Sequence, residues 1–127
     1  MAIVKPVALI TGGANGIGRA IARHLLATGW RAGIIDKLGG GLRRTFGRRS
    51  RNVMLFEGDV GEEDCASRAV DTVVEQFGRL DAVISNAGIM IRKRLRRLTL
   101  AEWHSVIDTN LTASFLLARP AEKALRR

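Results

Sequence analysis

The first residues able to do chemistry lie in a glycine-rich turn at residues 11–18, which follows an apolar run at residues 7–10. An apolar run, a glycine-rich loop and an amphipathic segment together are typical of a strand that passes through a turn into a helix. Backbone N–H groups and the positive end of the helix dipole would then face the loop, and both would stabilise a pyrophosphate bound there. Gly12, Gly16 and Gly18 would allow the turn and the close approach of phosphate. Their spacing differs from G-x-G-x-x-G, so a purely structural loop is the alternative.

Asp36 is the second candidate, because it ends a short apolar run at residues 31–35 that reads as a buried strand. An acid roughly 20 residues beyond such glycines can accept hydrogen bonds from the adenosine ribose hydroxyls. Its carboxylate would repel a 2′-phosphate, which favours NAD over NADP. The alternative is that Asp36 merely begins a turn. The helix before this strand is predicted to end near Gly29, with apolar positions at Ile17, Ala20, Ile21 and Leu25.

Two further strand ends carry polar groups. The apolar runs at residues 53–56 and 82–84 read as a third and a fourth strand. Ligands of open parallel sheets bind at the carboxyl ends of strands, so the residues after these runs should share one rim with the glycine-rich turn. They are Asp59, Val60, Asn86, Ala87 and Gly88. A helix between the two strands is predicted from the spacing of Ala66, Ala69, Val70, Val73, Val74 and Phe77.

The alternation of strands and helices predicts an α/β fold with a doubly wound, mostly parallel sheet of four strands and helices on both faces. The strand order should be 3-2-1-4. The 127 residues predict one domain over residues 1–127, and a chain of this length buries roughly two-thirds of its unfolded surface. No metal site is predicted.

The combination of motifs is specific. T-G-x-x-x-G-I-G at residues 11–18, the acid at position 36, Asp59-Val60 and N-A-G at residues 86–88 resemble the short-chain dehydrogenase/reductase family, whose fold is Rossmann-like. The resemblance implies that Asp36 holds the adenosine ribose. It implies a pyrophosphate against Thr11, Gly12, Asn15, Gly16, Ile17 and Gly18, adenine beside Asp59 and Val60, and a wall near the ribose made of Asn86, Ala87 and Gly88.

One departure from the family pattern is visible at Ser85, which stands where the family usually has the first Asn of N-N-A-G. This replacement is expected to weaken a hydrogen bond between strand and loop. Residues 100–117 resemble the family's long helix after strand four, and the resemblance places Asn110 at the family's catalytic Asn. The alternative is a helix that only packs in the core, since residues 99–102 form a capping-box pattern.

The family's catalytic set is Asn, Ser, Tyr and Lys, in which Tyr is the general acid/base. The chain contains no tyrosine. The sequence therefore looks truncated relative to the family, and no hydride transfer is expected from this chain alone. His24, His104 and Cys65 are expected to pack or lie at the surface rather than to react.

Charge is concentrated in two tracts. The net charge is +9, yet residues 37–52 hold six basic residues and residues 92–97 hold five, with no acid in either tract. The first tract is expected to form a mobile loop beside the adenine end, and the second a loop bordering the substrate cleft. The two tracts are either solvated loops or sites that recruit an anionic ligand or nucleic acid. Few aromatic residues lie among the basic ones, which argues against nucleic acid.

The leading hypothesis is the NAD(H)-binding portion of an oxidoreductase that interconverts an alcohol and a carbonyl. The alternatives are a non-catalytic adenine-dinucleotide-binding module and a basic protein that contacts nucleic acid. No apolar run of membrane-spanning length and no secretion signal is seen, which predicts a cytoplasmic protein. A homo-oligomer is expected through residues 100–118, with Leu111, Phe115 and Leu116 in the contact and Pro120 kinking or ending it.

Overall fold

The structure is a computed structural model that describes residues 3–48 and 50–126. Met1, Ala2, Arg49 and Arg127 lie outside the described residues, so Arg49 of the first basic tract and the very ends of the predicted domain are not characterised. Within the described ranges, no helix is long and apolar enough to cross a bilayer.

Four parallel strands form one sheet in the order β3-β2-β1-β4, which confirms the predicted order and fold class. They are β1 (Val7–Thr11), β2 (Arg31–Asp36), β3 (Val53–Glu57) and β4 (Ala82–Ile84). Every residue of β1 is buried, because this central strand is covered on both faces. The carboxyl ends of all four strands consequently meet at one edge.

The helices divide between the two faces of the sheet. Their bounds are α1 (Gly16–Ala27), α2 (Gly39–Phe46), α3 (Glu63–Phe77), α4 (Leu100–Ile107) and α5 (Ala113–Leu125). Alternate residues of a strand point to opposite faces. Ala8 and Ile10 of β1 therefore pack toward α1 and α2, while Val7 and Leu9 pack toward α3 and α5. The predicted apolar face of α3 is confirmed, since five of its six residues are buried and Val74 is partly buried.

The prediction that the first basic tract forms a mobile loop is wrong for residues 39–46. This half of the tract folds as α2, in which Leu42 is buried and Phe46 one turn later packs against the same core. Burial of this apolar pair outweighs the low helix propensity of the three glycines in the first turn. Gly47, with φ +74°, ends the helix.

Two other helices differ in detail from the sequence prediction. The inward face of α1 contains Gly18 and Ala22, whereas Ile17 is exposed. The long helix predicted over residues 100–117 is present as one uninterrupted helical run, in which α4 continues through a π-helical segment at Asp108–Thr112 into α5. Pro120 lies inside α5, which continues to Leu125, so Pro120 does not end the packing surface.

Candidate functional site

A cleft of about 610 Å³ opens at the carboxyl edge of the sheet. Loops that follow all four strands contribute to it, as expected for a ligand site in a parallel sheet. Ten of the twelve residues predicted to contact a cofactor line this cleft: Gly12, Asn15, Gly16, Ile17, Asp36, Asp59, Val60, Asn86, Ala87 and Gly88. The structure thus brings together segments separated by more than 70 positions in the sequence.

The glycine-rich turn has no room for side chains at three positions, one of which is Gly13, where a Cβ would overlap the buried Ile34 side chain. Gly12 has φ +69°, and a Cβ there would stand 2.9 Å from the Cα of Ala87. A Cβ on Gly18 would overlap the carbonyl oxygen of Gly12 and come within 2.5 Å of the Asn86 side-chain nitrogen. Only glycine allows the two segments to approach this closely.

The N-terminus of α1 faces the cleft without a side-chain cap. Asn15 is the N-cap residue, yet its side chain accepts no hydrogen bond from the first turn of the helix. Asn15, Gly16 and Ile17 all line the cleft. The first N–H groups of a helix have no partner within the helix, and together with the helix dipole they favour an anion. This part of the cleft can therefore bind phosphate oxygens.

Thr11 and Gly18, the two predicted residues outside the cleft lining, support it from behind. Thr11 is buried, and its Oγ1 accepts hydrogen bonds from the N–H groups of Asn86 and Ala87, both at 3.0 Å. The Asn86 side chain in turn donates to the carbonyl oxygens of Thr11 (3.1 Å) and Gly12 (3.3 Å). These four bonds tie the loop after β4 to the glycine-rich turn.

Asp36 lines the cleft and also begins a turn, so the two interpretations of this residue are compatible. One carboxylate oxygen accepts the N–H of Ala14 at 2.9 Å, and the other accepts the N–H of Leu38 at 2.9 Å. A carboxylate can accept about four hydrogen bonds. Acceptor capacity for two ribose hydroxyls therefore remains after the backbone bonds are made.

Lys37 pairs with Asp59 across the cleft. The two charged atoms are 2.6 Å apart, and the other oxygen of Asp59 accepts the N–H of Gly61 at 2.8 Å. Partial burial raises the pKa of Asp59, but the hydrogen bond from Lys37, the backbone bond from Gly61 and the charge of Lys37 outweigh it, so the pKa is lowered. Asp59 is held as a carboxylate, and Lys37 forms its ion pair with Asp59 rather than with Asp36.

Asn110 does not line the cleft. It lies in the π-helical segment, where its Oδ1 accepts the N–H of Ile89 at 2.8 Å and its Nδ2 donates to the carbonyl of Ile89 at 2.9 Å. Both ends of the side chain are used, and the loop after β4 is thereby fixed. Ser85, the departure from the family pattern, forms a hydrogen bond of 2.9 Å with Ser114, so β4 keeps a polar link to α5.

Six residues that the sequence argument did not single out also line the cleft. Most of them are neighbours of predicted residues at the strand ends, and this adjacency was the signal that the sequence offered. The six residues are Ile35, Lys37, Leu38, Gly58, Ile89 and Thr109.

Cys65 is buried behind Gly58, where desolvation raises the pKa of its thiol. His24 and His104 are exposed. Within the described ranges, no group of three or more acidic, His or Cys residues could hold a metal ion.

The comparison with known proteins identifies the family. A family model described as short chain dehydrogenase matches residues 6–127. The chain belongs to the short-chain dehydrogenase family. Members of this family use nicotinamide cofactors, either NAD or NADP.

Individual relatives in the family are similar over part of their length. The chain is 34% identical over 119 residues to the 3-oxoacyl-[acyl-carrier-protein] reductase MabA of Mycobacterium tuberculosis, covering 94% of this chain and 45% of that protein. It is 36% identical over 130 residues to xanthoxin dehydrogenase of Arabidopsis thaliana, covering 97% of this chain and 46% of that protein. The chain therefore spans about half the length of the curated relatives it matches.

A solved family structure is also similar. The crystal structure of a short-chain dehydrogenase/reductase described as glucose/ribitol dehydrogenase, from Brucella melitensis, superposes with a TM-score of 0.90 at 29% sequence identity. The match covers 98% of this chain and 54% of that chain.

Proposed function

We propose that this chain is the NAD(H)-binding portion of an oxidoreductase that transfers hydride between nicotinamide and an alcohol or carbonyl. The observation that carries the proposal is the cleft, in which an uncapped helix N-terminus and Asp36 line the same space. The helix end suits the pyrophosphate, and the carboxylate suits the adenosine ribose. Asp59 and Val60 would contact adenine, and Asn86, Ala87 and Gly88 would form the wall near the ribose. We assign residues 1–127 to one cofactor-binding domain.

NADH is expected to bind more tightly than NADPH, because Asp36 would repel the 2′-phosphate. Replacing Asp36 with Asn keeps an acceptor oxygen and removes the charge. D36N should weaken NADH binding by about 10- to 100-fold, as expected for the loss of one hydrogen bond to a charged group. D36N should weaken NADPH binding less, so the preference for NADH over NADPH becomes smaller. Fluorescence titration with both cofactors measures this.

The control for D36N is D71N, which removes the same charge from the exposed side of α3, away from the cleft. D71N should leave both affinities unchanged. A preference of the unaltered chain for NADPH would refute the role assigned to Asp36, and Lys37 would then be the first residue to test.

The isolated chain is expected to bind NADH without oxidising it. The resemblance to the family assigns the acid/base role to a tyrosine, and the sequence contains none. Asn110, the one member of the expected catalytic set that is present, has both side-chain groups bonded to Ile89. NADH absorbance is followed with a panel of aldehydes and ketones. Turnover that is lost in N110A would show that a residue of this chain other than tyrosine acts as the acid/base group.

A non-catalytic dinucleotide-binding module is the second candidate, because the side chain of Asn110 is bonded to Ile89 and does not line the cleft. Both candidates predict cofactor binding without turnover by this chain. They differ in whether a carbonyl compound binds beside the nicotinamide. Saturation-transfer NMR with the same aldehydes and ketones, with and without NADH, separates them.

Self-association is expected through the exposed apolar residues of α5 and the π-helical segment. The side chains of Phe115 and Leu111 are 58% and 66% exposed, and we propose that a second copy of this chain covers them. F115D should lower the dimer fraction at least about 10-fold, because taking a charge out of water into an apolar contact is costly. Sedimentation velocity at micromolar concentrations measures the effect. L95D, at an exposed apolar residue away from α5, is the control. An unaltered chain that stays monomeric would refute the proposal.

A further inference from the structure

A second concavity, of about 700 Å³, is lined by Arg92, Lys93, Arg94 and Arg97. We call it the arginine pocket. These residues belong to the second basic tract, which cofactor binding does not explain. Every side chain that lines the pocket is cationic, so the potential inside it is positive and attracts anions.

Three of these cations have no acidic partner. Lys93 forms an ion pair with Glu102, whereas no ion pair in the described part of the chain involves Arg92, Arg94 or Arg97. Basic residues elsewhere do find acids, including Lys37 with Asp59. Clustered like charges repel one another, and a bound anion would relieve this repulsion.

The loop that carries the pocket is fixed at both ends. Asn110 holds Ile89 on the N-terminal side through two hydrogen bonds. On the C-terminal side, Thr99 and Glu102 form a capping box at the start of α4, and Glu102 also binds Lys93. The guanidinium groups are therefore attached to an ordered backbone, and preorganisation lowers the entropic cost of binding a ligand.

The arginine pocket is close to the cleft. Ile89 lines the cleft and Arg92 lines the pocket. Three residues of chain span at most about 11 Å, so the two sites lie within reach of a single extended small molecule.

We propose that the arginine pocket binds a phosphate group on the non-reacting end of the substrate, whose alcohol or carbonyl enters the cleft. This rests on the proposed function. Arginine is suited to phosphate because its planar fork donates two parallel hydrogen bonds. A small ligand is favoured over nucleic acid because residues 92–97 contain no aromatic side chain on which bases could stack.

Inorganic pyrophosphate is the probe, titrated by calorimetry at constant ionic strength with saturating NADH, so that the cofactor cleft is occupied. The triple variant R92Q/R94Q/R97Q should bind pyrophosphate about 30-fold more weakly, since three charge-assisted contacts are lost. The control R23Q/R44Q/R51Q removes the same charge from exposed arginines outside both sites and should change the affinity less than about 3-fold. NADH affinity should be the same in both variants.

Equal weakening in both variants would overturn the proposal, because it would show only general electrostatic attraction. Loss of pyrophosphate binding when NADH is added would also overturn the proposal, because it would show that pyrophosphate binds at the glycine-rich turn and not in the arginine pocket. Tight binding of single-stranded poly(U) that pyrophosphate does not displace would assign the pocket to nucleic acid. If NADH does not bind but the site variant still loses pyrophosphate, the proposed function fails and the anion site stands.

Discussion

Replacing Gly18 with alanine is expected to weaken NADH binding about 10- to 100-fold, which corresponds to roughly 1.4–2.8 kcal/mol. A Cβ at position 18 would overlap the carbonyl oxygen of Gly12, and it would lie 2.5 Å from the Asn86 side-chain nitrogen. The first of these neighbours is backbone, which cannot rotate away as a flexible side chain can. The turn must move to admit the methyl group, and the N–H groups that face the cleft move with it.

The same overlap should destabilise the fold of G18A by about 1–3 kcal/mol, the usual cost of overpacking. Fluorescence titration with NADH measures the affinity, and urea unfolding measures the free energy of unfolding. G40A is the matched control, because no atom lies within 4 Å of the Cβ position at Gly40 and this residue is helical. Alanine there should stabilise the chain by about 0.5–1 kcal/mol. A G18A variant with unchanged NADH affinity would remove the glycine-rich turn from the binding site.

The architecture follows from local patterns in the sequence. Short apolar runs alternate with segments of helical spacing, and this alternation determines a parallel sheet with helices on both faces. The convergence of Asp36, Asp59 and Asn86 at one cleft could be predicted for the same reason, because Asp36 ends a strand and the other two residues follow strand ends. No packing detail was needed for either inference.

Features that depend on distant side chains could not be predicted in this way. Helix α2 forms because Leu42 and Phe46 pack against the sheet, whereas three glycines at its start argued for a loop. The partner of Lys37 is Asp59, 22 positions away, rather than the adjacent Asp36. These outcomes are decided by tertiary contacts, which override local propensity.

The contacts of the Asn110 side chain could not be predicted from the sequence either. The resemblance to the family indicated its importance but not its contacts. Only the π-helical segment and the loop after β4 together show that its amide is bonded on both sides to Ile89. In this chain Asn110 positions the loop that connects the cleft with the arginine pocket.

One buried hydroxyl accepts two of the four hydrogen bonds that link the glycine-rich turn to the loop after β4. Replacing Thr11 with valine keeps the shape of the side chain and removes the acceptor for the N–H groups of Asn86 and Ala87. A fully buried donor left without a partner costs about 1–3 kcal/mol. The two donors freed in T11V are partly buried, so together they should lower the free energy of unfolding by roughly 2–4 kcal/mol. Total stability of a domain is only about 5–15 kcal/mol.

T11S separates the hydroxyl from the methyl group of Thr11. Serine retains the acceptor and loses one buried methyl group, which should cost about 1 kcal/mol. Urea unfolding compares the two variants, and amide hydrogen exchange should accelerate at Asn86 and Ala87 in T11V but not in T11S. Equal destabilisation, with unchanged exchange at both amides, would mean that the Thr11 hydroxyl does not hold the loop after β4. The loop that walls the cleft would then be positioned by the Asn86 side chain, which donates to the carbonyl oxygens of Thr11 and Gly12, and by the contacts of Ile89 with Asn110.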